Sequence, residues 1–472
     1  MKMVSPELPV AVIGAGPAGL SAAAHLVQRG IRPLIFERGR EAGAAMREWA
    51  HVRVFSPWRY NIDPAALALL QASGWTEPNP DHLPTGCEII DQYLAPLAAL
   101  PQIAPNLRLG AQVTAITREG RDKMSSNERE ASPFLVQYAD ANGEDQRARV
   151  RAVIDASGTW TQPNPIGVDG LPVPGERANA DRIAYGIPDV IGAERSLYAG
   201  KSTLVIGSGH SAINAALALM ELQQEDKATE ILWALRHANI DRLLGGGLND
   251  QLPERGALGL AAKAAMDDGR LTMLTSFSVQ RIERSGQGLR VHARRDGVDF
   301  VVGVDRIIVA AGFRPDLSFL RELRVSLDPA VEAPPALAPL IDPNLHSCGT
   351  VPPHGVAELE HPESGFVIVG AKSYGRAPTF LMLTGYEQAR SVVASIAGDQ
   401  KAAREVQLVL PETGVCNATP STEIASAGCC GGPAPAAVDA CCVADAVAKD
   451  EGKAGCGCST AVPGRETVAL RA

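Results

Sequence analysis

The stretch that most constrains this chain is PVAVIGAGPAGLSAAAHLVQRGIRPLIFE, residues 9–37. Its apolar run at 10–13 has the length of a strand buried on both faces. Gly14, Gly16 and Gly19 follow as G-x-G-x-x-G, with Pro17 suited to the first turn of a helix. In such a unit the first glycine permits a tight turn and the second lets backbone approach a pyrophosphate. The third lets helix and strand pack closely. The helix N-terminus adds N–H groups and partial positive charge for that pyrophosphate. A second strand at 31–36 ends at Glu37, whose carboxylate can accept from both hydroxyls of a ribose. Strand, glycine turn, helix, strand and terminal acid, in this order, specify a dinucleotide site far more tightly than three glycines alone.

The pattern occurs twice. KSTLVIGSGHSAINAALALM, residues 201–220, puts Gly207, Gly209 and Ala212 in the three glycine positions, and alanine is an accepted third residue. Its next strand, 231–235, ends at Arg236-His237 and not at an acid. A cation there cannot accept from a ribose 2′-hydroxyl but can pair with a 2′-phosphate, which favours NADPH over NADH. A solvated strand-end charge is the plainer alternative.

Each unit is followed by a meander and then by a strand that runs into a small-residue turn. In the first copy the strands fall at 112–117, 134–138 and 149–155, the last reaching Ser157-Gly158. In the second they fall at 279–283, 288–293 and 300–304, and DRIIVAAG then ends at Gly312. A further strand at 366–369 turns at Gly370, and Pro378 opens a helix to about residue 396. The second copy begins after the first has ended its meander. The expected fold is therefore α/β: two Rossmann-like three-layer (ββα/βαβ) nucleotide-binding domains, the second inserted in the first. The expected boundaries are 1–195 and 305–400 for the first domain, 196–304 for the second, and 401–472 for a disordered Cys-rich tail.

Helical pattern also covers 64–72 and 88–100, and the polar segment 119–132 reads as an exposed, mobile insertion. Residues 38–60 carry aromatics and cations expected in a surface loop beside the cofactor. His51, Arg53, Trp58, Arg59 and, later, Tyr374 are candidates for the substrate pocket, each as readily structural. Gly245-Gly246-Gly247 suits a hinge or a loop over the nicotinamide, or an ordinary flexible loop.

Composition bounds the function. A chain of 472 residues, 46% hydrophobic and 21% charged, can bury a large core in two or three lobes. Its net charge of −9 argues against broad nucleic-acid binding. No run has the length of a membrane span. The first strand starts within ten residues of the N-terminus, which leaves no room for a signal peptide, so the cytoplasm is the expected compartment.

With both glycine units and both strand-to-glycine turns in view, residues 9–400 resemble two-dinucleotide flavoproteins. The resemblance implies FAD on Gly14, Gly16, Gly19 and Glu37, and NADPH on Gly207, Gly209, Ala212 and Arg236. It also brings Gly158, Gly312, Gly370 and the Pro378 helix beside the cofactors. DASGTWTQPNP, 155–165, is similar to the ATG-x-W-S-x-P-x-x-P segment of flavin-containing monooxygenases, although 166–200 lacks their F-x-G-x-x-x-H. Disulfide reductases of this superfamily need a close core dithiol, and Cys87 and Cys348 are isolated. A monooxygenase needs no protein nucleophile, so no catalytic residue is assigned.

The other seven cysteines crowd between Cys416 and Cys458. Six form three close pairs: Cys429-Cys430, Cys441-Cys442 and Cys456-Gly-Cys458. Such spacing is cramped for tetrahedral zinc and suits soft, low-coordinate ions such as As(III), Hg(II), Cu(I) or Cd(II). SPWRYN (56–61) and KSYGRAPTFLMLTGYEQ (372–388) resemble flavoprotein monooxygenases found with bacterial arsenic-resistance genes. The expected activity is NADPH- and FAD-dependent oxidation of a metalloid or other small soft nucleophile, with the tail binding the metalloid. The alternatives are a reductase resembling mercuric reductase and a thiol metallochaperone.

Overall fold

The computed structural model describes residues 5–238, 266–345, 351–377 and 381–408, with a few isolated positions between 257 and 264. The first glycine unit builds β1 (Val10–Ile13), α1 (Pro17–Gln28) and β2 (Pro33–Glu37). After a helical excursion come β3 (Leu107–Leu109), then β4 (Gln112–Arg118), β5 (Phe134–Ala139), β6 (Asp145–Val150) and β7 (Ala152–Asp155). The second unit supplies β8 (Ile183–Tyr185), β9 (Ser202–Ile206), α2 (His210–Glu225), β10 (Glu230–Ala234) and β11 (Thr272–Leu274). Its meander is β12 (Phe277–Ser285), β13 (Gly288–Arg295) and β14 (Val298–Val304), followed by β15 (Arg306–Val309). β16 (Phe366–Ile368), α3 (Met382–Ile396) and α4 (Gln400–Arg404) complete the first lobe. Ala403 of α4 is buried and its carbonyl accepts from Ser391 of α3, so the ordered body runs past the expected tail boundary at 401.

The strands form two five-stranded sheets, ordered β16-β7-β1-β2-β3 and β11-β10-β9-β15-β8, and each meander forms a three-stranded sheet of its own. The five-stranded sheets are parallel throughout and the meanders antiparallel. β1 reads as one apolar run, yet its side chains divide by the period of two. Val10 and Val12 join the cluster that holds Leu20 of α1 and Val392 of α3. Ala11 and Ile13 join Ile116, Phe134 and Val136 of the meander. The second lobe repeats this: Val205 packs with Ala212 and Leu219 of α2, and Leu204 with Val279 and Val291. Each lobe is thus three layers, helix on sheet on meander, and continuous apolar strands are what such a middle layer demands.

Strand pairing widens the second lobe beyond the expected 196–304. β8 and β15 both pair into its sheet, so that sheet draws on residues 183–309. The two linking segments cross antiparallel: Pro163 bridges Phe313, Asn164 N–H donates to the Gly312 carbonyl at 2.9 Å, and Arg314 N–H to Gln162 at 2.8 Å. The expected strand at 149–155 is two strands, because the chain leaves the meander after Val150 and enters the parallel sheet at Ala152.

The segment 119–132 is not the loose insertion its polarity suggested. Arg118 and Arg129 reach one buried carboxylate, Glu363, at 2.8 and 2.7 Å, and all three side chains are at most 3% exposed. Arg129 also donates to the Asp122 and Glu322 carbonyls. Two guanidiniums on one buried acid tie both ends of the segment to the body, since breaking such a network leaves an unpaired buried charge.

Candidate cofactor sites at the two glycine turns

The carboxyl ends of β1, β2, β7 and β16 lie along one edge of the first sheet. At Gly14, φ is +97°, and a Cβ would sit 2.7 Å from the Ala156 carbonyl oxygen. A Cβ on Gly19 would collide with the Gly14 carbonyl. Both residues are therefore glycine for the chain's own packing. Gly16 is different, because a Cβ there meets nothing within 4 Å. It is the position where a ligand can approach the backbone. Gly16 is also the extended N-cap of α1, and no side chain caps that helix, which leaves its first-turn N–H groups for an anion. Glu37 is 8% exposed, and its two oxygens accept from Ala15 N–H and Gly39 N–H, each at 2.8 Å. These bonds aim the carboxylate and leave each oxygen a further lone pair for a ribose hydroxyl. The residues present fit an FAD-type dinucleotide.

The second turn follows the same template. Gly207 has φ +140°, and a Cβ would strike the Ala310 carbonyl oxygen, while Gly209 has nothing within 4 Å. Ala212 is fully buried, its N–H donating to the Gly209 carbonyl at 2.9 Å. Gly209 caps α2 without side-chain help. Arg236 stands exposed two residues past β10, at the same carboxyl edge. The ring of Phe55, from the loop of the first lobe, lies 5.5 Å from the ring of His210, the first residue of α2.

Gly158 (φ +69°) has no neighbour over it, and Gly312 (φ +85°) is exposed on the linker. Gly370 (φ +71°) approaches α1 so closely that a Cβ would be 2.9 Å from the Ala18 methyl. A buried network underlies it. Gln388 Oε1 accepts from Gly370 N–H at 2.7 Å, and its Nε2 donates to Ser373 and His354, both at 2.9 Å. His354 Nδ1 faces the Pro352 carbonyl at 3.0 Å, so the proton sits on Nδ1 and Nε2 accepts. Burial lowers its pKa, which agrees with a neutral ring. Pro378, the Gly245-Gly246-Gly247 loop, Cys348 and the six paired tail cysteines lie outside the described residues.

The pocket candidates separate. Trp58 and Tyr374 are buried, whereas His51, Arg53 and Arg59 are exposed. Arg59 pairs with Asp81, and Arg53 reaches the Leu83 carbonyl. Ser56 and Asn61 bond each other at 2.9 Å, and Tyr386 of α3 donates to the Asn61 carbonyl at 2.8 Å. Much of the SPWRYN segment thus holds the loop onto the first lobe.

Sequence reasoning passed over Asp155, Ser157 and Lys372 as chemistry. Lys372 and Asp155 are both fully buried, with Nζ 2.7 Å from Oδ2. Nζ also reaches Ser157 Oγ at 3.1 Å and lies 4.3 Å from the centre of the Phe319 ring. The available signal was a lysine set among small residues directly after a buried strand. Cys87 is the one cysteine among the described residues; it donates to Asp91 at 3.1 Å and faces Arg47 at 3.4 Å. The Asp91 carboxylate, then burial, pushes its thiol pKa up, which disfavours thiolate. Among the described residues no group of three or more His, Cys, Asp or Glu could hold a metal, and no helix is long and apolar enough to cross a membrane.

Comparison with known proteins agrees with this geometry. The sequence matches the pyridine nucleotide-disulphide oxidoreductase family over residues 11–339. It is 24% identical over 322 residues to a bifunctional thioredoxin reductase/thioredoxin of Mycobacterium leprae, covering 68% of this chain and 54% of that protein. It is 26% identical over 214 residues to a flavin-containing monooxygenase of Aspergillus flavus, covering 43% of this chain and 48% of that one. The chain thus spans about half the length of these two relatives. Its fold is similar to that of a bacillithiol disulfide reductase from Bacillus cereus, with TM-score 0.62 and 18% identity, over 83% of this chain and 99% of the other.

Proposed function

We propose, for a chain that belongs to the pyridine nucleotide-disulphide oxidoreductase family, that electrons pass from NADPH in the second lobe to FAD in the first and end on dioxygen and a small soft nucleophile. When bound, FAD supplies two-electron acceptance from a nicotinamide and, once reduced, reactivity toward dioxygen. The chain's residues supply placement. Glu37 takes the ribose hydroxyls, and Gly16 with the first turn of α1 admits the pyrophosphate. Gly209 and the first turn of α2 do the same for NADPH, whose 2′-phosphate pairs with Arg236.

The observation that carries the oxygen-transfer reading is Cys87. Disulfide reduction needs a second thiol and an accessible thiolate, and Cys87 is held as a thiol with no cysteine beside it among the described residues. Oxygen transfer asks of the protein only a shielded site. The three cysteine pairs of the tail add the substrate class: vicinal thiols suit trivalent arsenic, so a trivalent arsenical is the proposed substrate, concentrated by the tail. The test is an NADPH-oxidation screen with trivalent arsenicals, scoring oxygen uptake and peroxide separately. Substrate-dependent oxygen uptake without matching peroxide is expected, and peroxide alone would remove the arsenical. Truncation after Leu408, which keeps α4 packed on α3, should spare flavin turnover and abolish thiol-dependent arsenite binding. The reverse result would favour a metallochaperone.

A reductase that delivers electrons to the tail thiols is the second reading, favoured by the likeness to a thioredoxin reductase fused to thioredoxin. Anaerobic titration separates them. Two electrons per flavin fits oxygen transfer, and four fits a redox-active dithiol.

A further inference from the structure

Ser157 lies against the first glycine turn, where a serine hydroxyl would ordinarily donate to phosphate. A Cβ on Gly14 would be 3.1 Å from Ser157 Cα. Counting protons excludes the phosphate. Ser157 has one hydroxyl proton and two lone pairs, a lysine ammonium only donates, and an ionised carboxylate only accepts. Ser157 Oγ is 2.7 Å from Asp155 Oδ1, which also accepts Ser157 N–H at 3.1 Å, so the hydroxyl proton goes to Asp155. Lys372 Nζ, at 3.1 Å, fills one lone pair. Asp155 and Lys372 are fully buried and paired at 2.7 Å, so water does not compete for these bonds. Ser157 itself is exposed. Toward a ligand it therefore presents a single lone pair and no proton. A phosphate or carbonyl oxygen is repelled there, and an O–H or N–H donor is accepted.

Strand order says which donor. In the first sheet β2 lies on one side of β1 and β7 on the other. A dinucleotide whose pyrophosphate sits at the β1 turn and whose adenosine ribose reaches Glu37, at the carboxyl end of β2, extends its other half over β7, toward Ser157. The hydroxyls nearest the pyrophosphate on that half belong to the ribityl chain. We propose that Ser157 accepts a hydrogen bond from a ribityl hydroxyl of FAD, held in that polarity by the buried Asp155–Lys372 pair. This rests on the reading of the first lobe as the FAD site.

The experiment is a binding titration on the full chain stripped of flavin, followed by fluorescence, with FAD and with FAD analogues that each lack one ribityl hydroxyl. Wild-type protein is expected to bind one analogue about fivefold to tenfold more weakly than FAD, the worth of one hydrogen bond. Ser157→Ala, an exposed change that leaves the buried pair intact, should weaken FAD by the same factor and bind that analogue no worse than FAD. Equal FAD affinity in wild type and Ser157→Ala would overturn the proposal, as would the same analogue penalty in both proteins. Failure of wild-type protein to take up FAD is a different result, and it overturns the reading of the lobe itself.

Discussion

The two lobes are one template read twice, and they differ in where charge is kept. Their sheets match strand for strand, with β1, β2, β3 and β7 of the first answering to β9, β10, β11 and β15 of the second. The fifth strand alone breaks the order, since β8 precedes its unit and β16 follows its own, as insertion of one lobe in the other requires. Both turns place a positive-φ glycine under a carbonyl, Ala156 or Ala310. Charge does not match. The first lobe buries Glu37, Asp155 and Lys372 at its strand ends, whereas the second has Ala310 and Ala311 after β15 and leaves Arg236 in solvent. Pre-aimed charge suits a cofactor held through many turnovers, and a solvated cation suits one that must leave each cycle, because an exposed pair binds more weakly.

The comparison breaks most easily at Lys372. Lys372→Met leaves Asp155 buried without its cation, an error worth about 3–5 kcal/mol in comparable sites. Denaturant unfolding should show a loss of that size. A loss below about 1 kcal/mol, the range of surface pairs, would mean that the first lobe does not depend on its buried charge.

Cofactor retention sharpens the same contrast. Glu37→Ala should yield protein that purifies without flavin, because it removes the aimed acceptor and also frees the Ala15 and Gly39 N–H groups. Arg236→Ala should raise the KM for NADPH about 10- to 100-fold, the worth of a charge-assisted bond, and leave that for NADH nearly unchanged. Equal losses for both nucleotides would remove the phosphate role.

Acid sensitivity should also belong to the first lobe, which holds both buried histidines among the described residues, His354 and His361. Burial pushes the His361 pKa down from 6.5 to about 4. Between those values the unfolded chain binds a proton that the folded chain refuses, so stability falls as pH drops from about 6.5 toward 4. His361→Gln should flatten that limb in urea unfolding followed from pH 7 to 4.5. An unchanged slope would place the acid sensitivity elsewhere.

What was legible beforehand was whatever repeats along the chain. The glycine turns and the meanders follow from short-range periods, and the pattern carried both lobes. The lobe boundary was not legible, because β8 joins the second sheet by pairing and carries no motif, and the strand in DRIIVAAG, though read as part of the second copy, was placed beyond 304. The ion pairs were hidden for a related reason: Lys372 lies 217 residues from Asp155, and Arg118 lies 245 from Glu363. A charged residue shows its polarity in sequence and not its partner, so 119–132 read as solvated although Arg129 within it is buried.

The smallest expected effect lies at the third position of the turn, where the lobes differ by one methyl. Gly19 has no room for one, since a Cβ would enter the Gly14 carbonyl. Ala212 carries its methyl fully buried. Ala212→Gly therefore removes a packed methyl and adds a flexible residue to the first turn of α2, at a cost of about 0.5–1 kcal/mol. Since this position faces the protein and not the pyrophosphate, the KM for NADPH should stay within twofold. A small stability loss with unchanged KM keeps the two turns as one template, with the third residue set by helix–strand spacing alone. A marked rise in KM with unchanged stability would mean that Ala212 shapes the nucleotide site, and the second turn would then differ from the first in ligand contact as well as in charge.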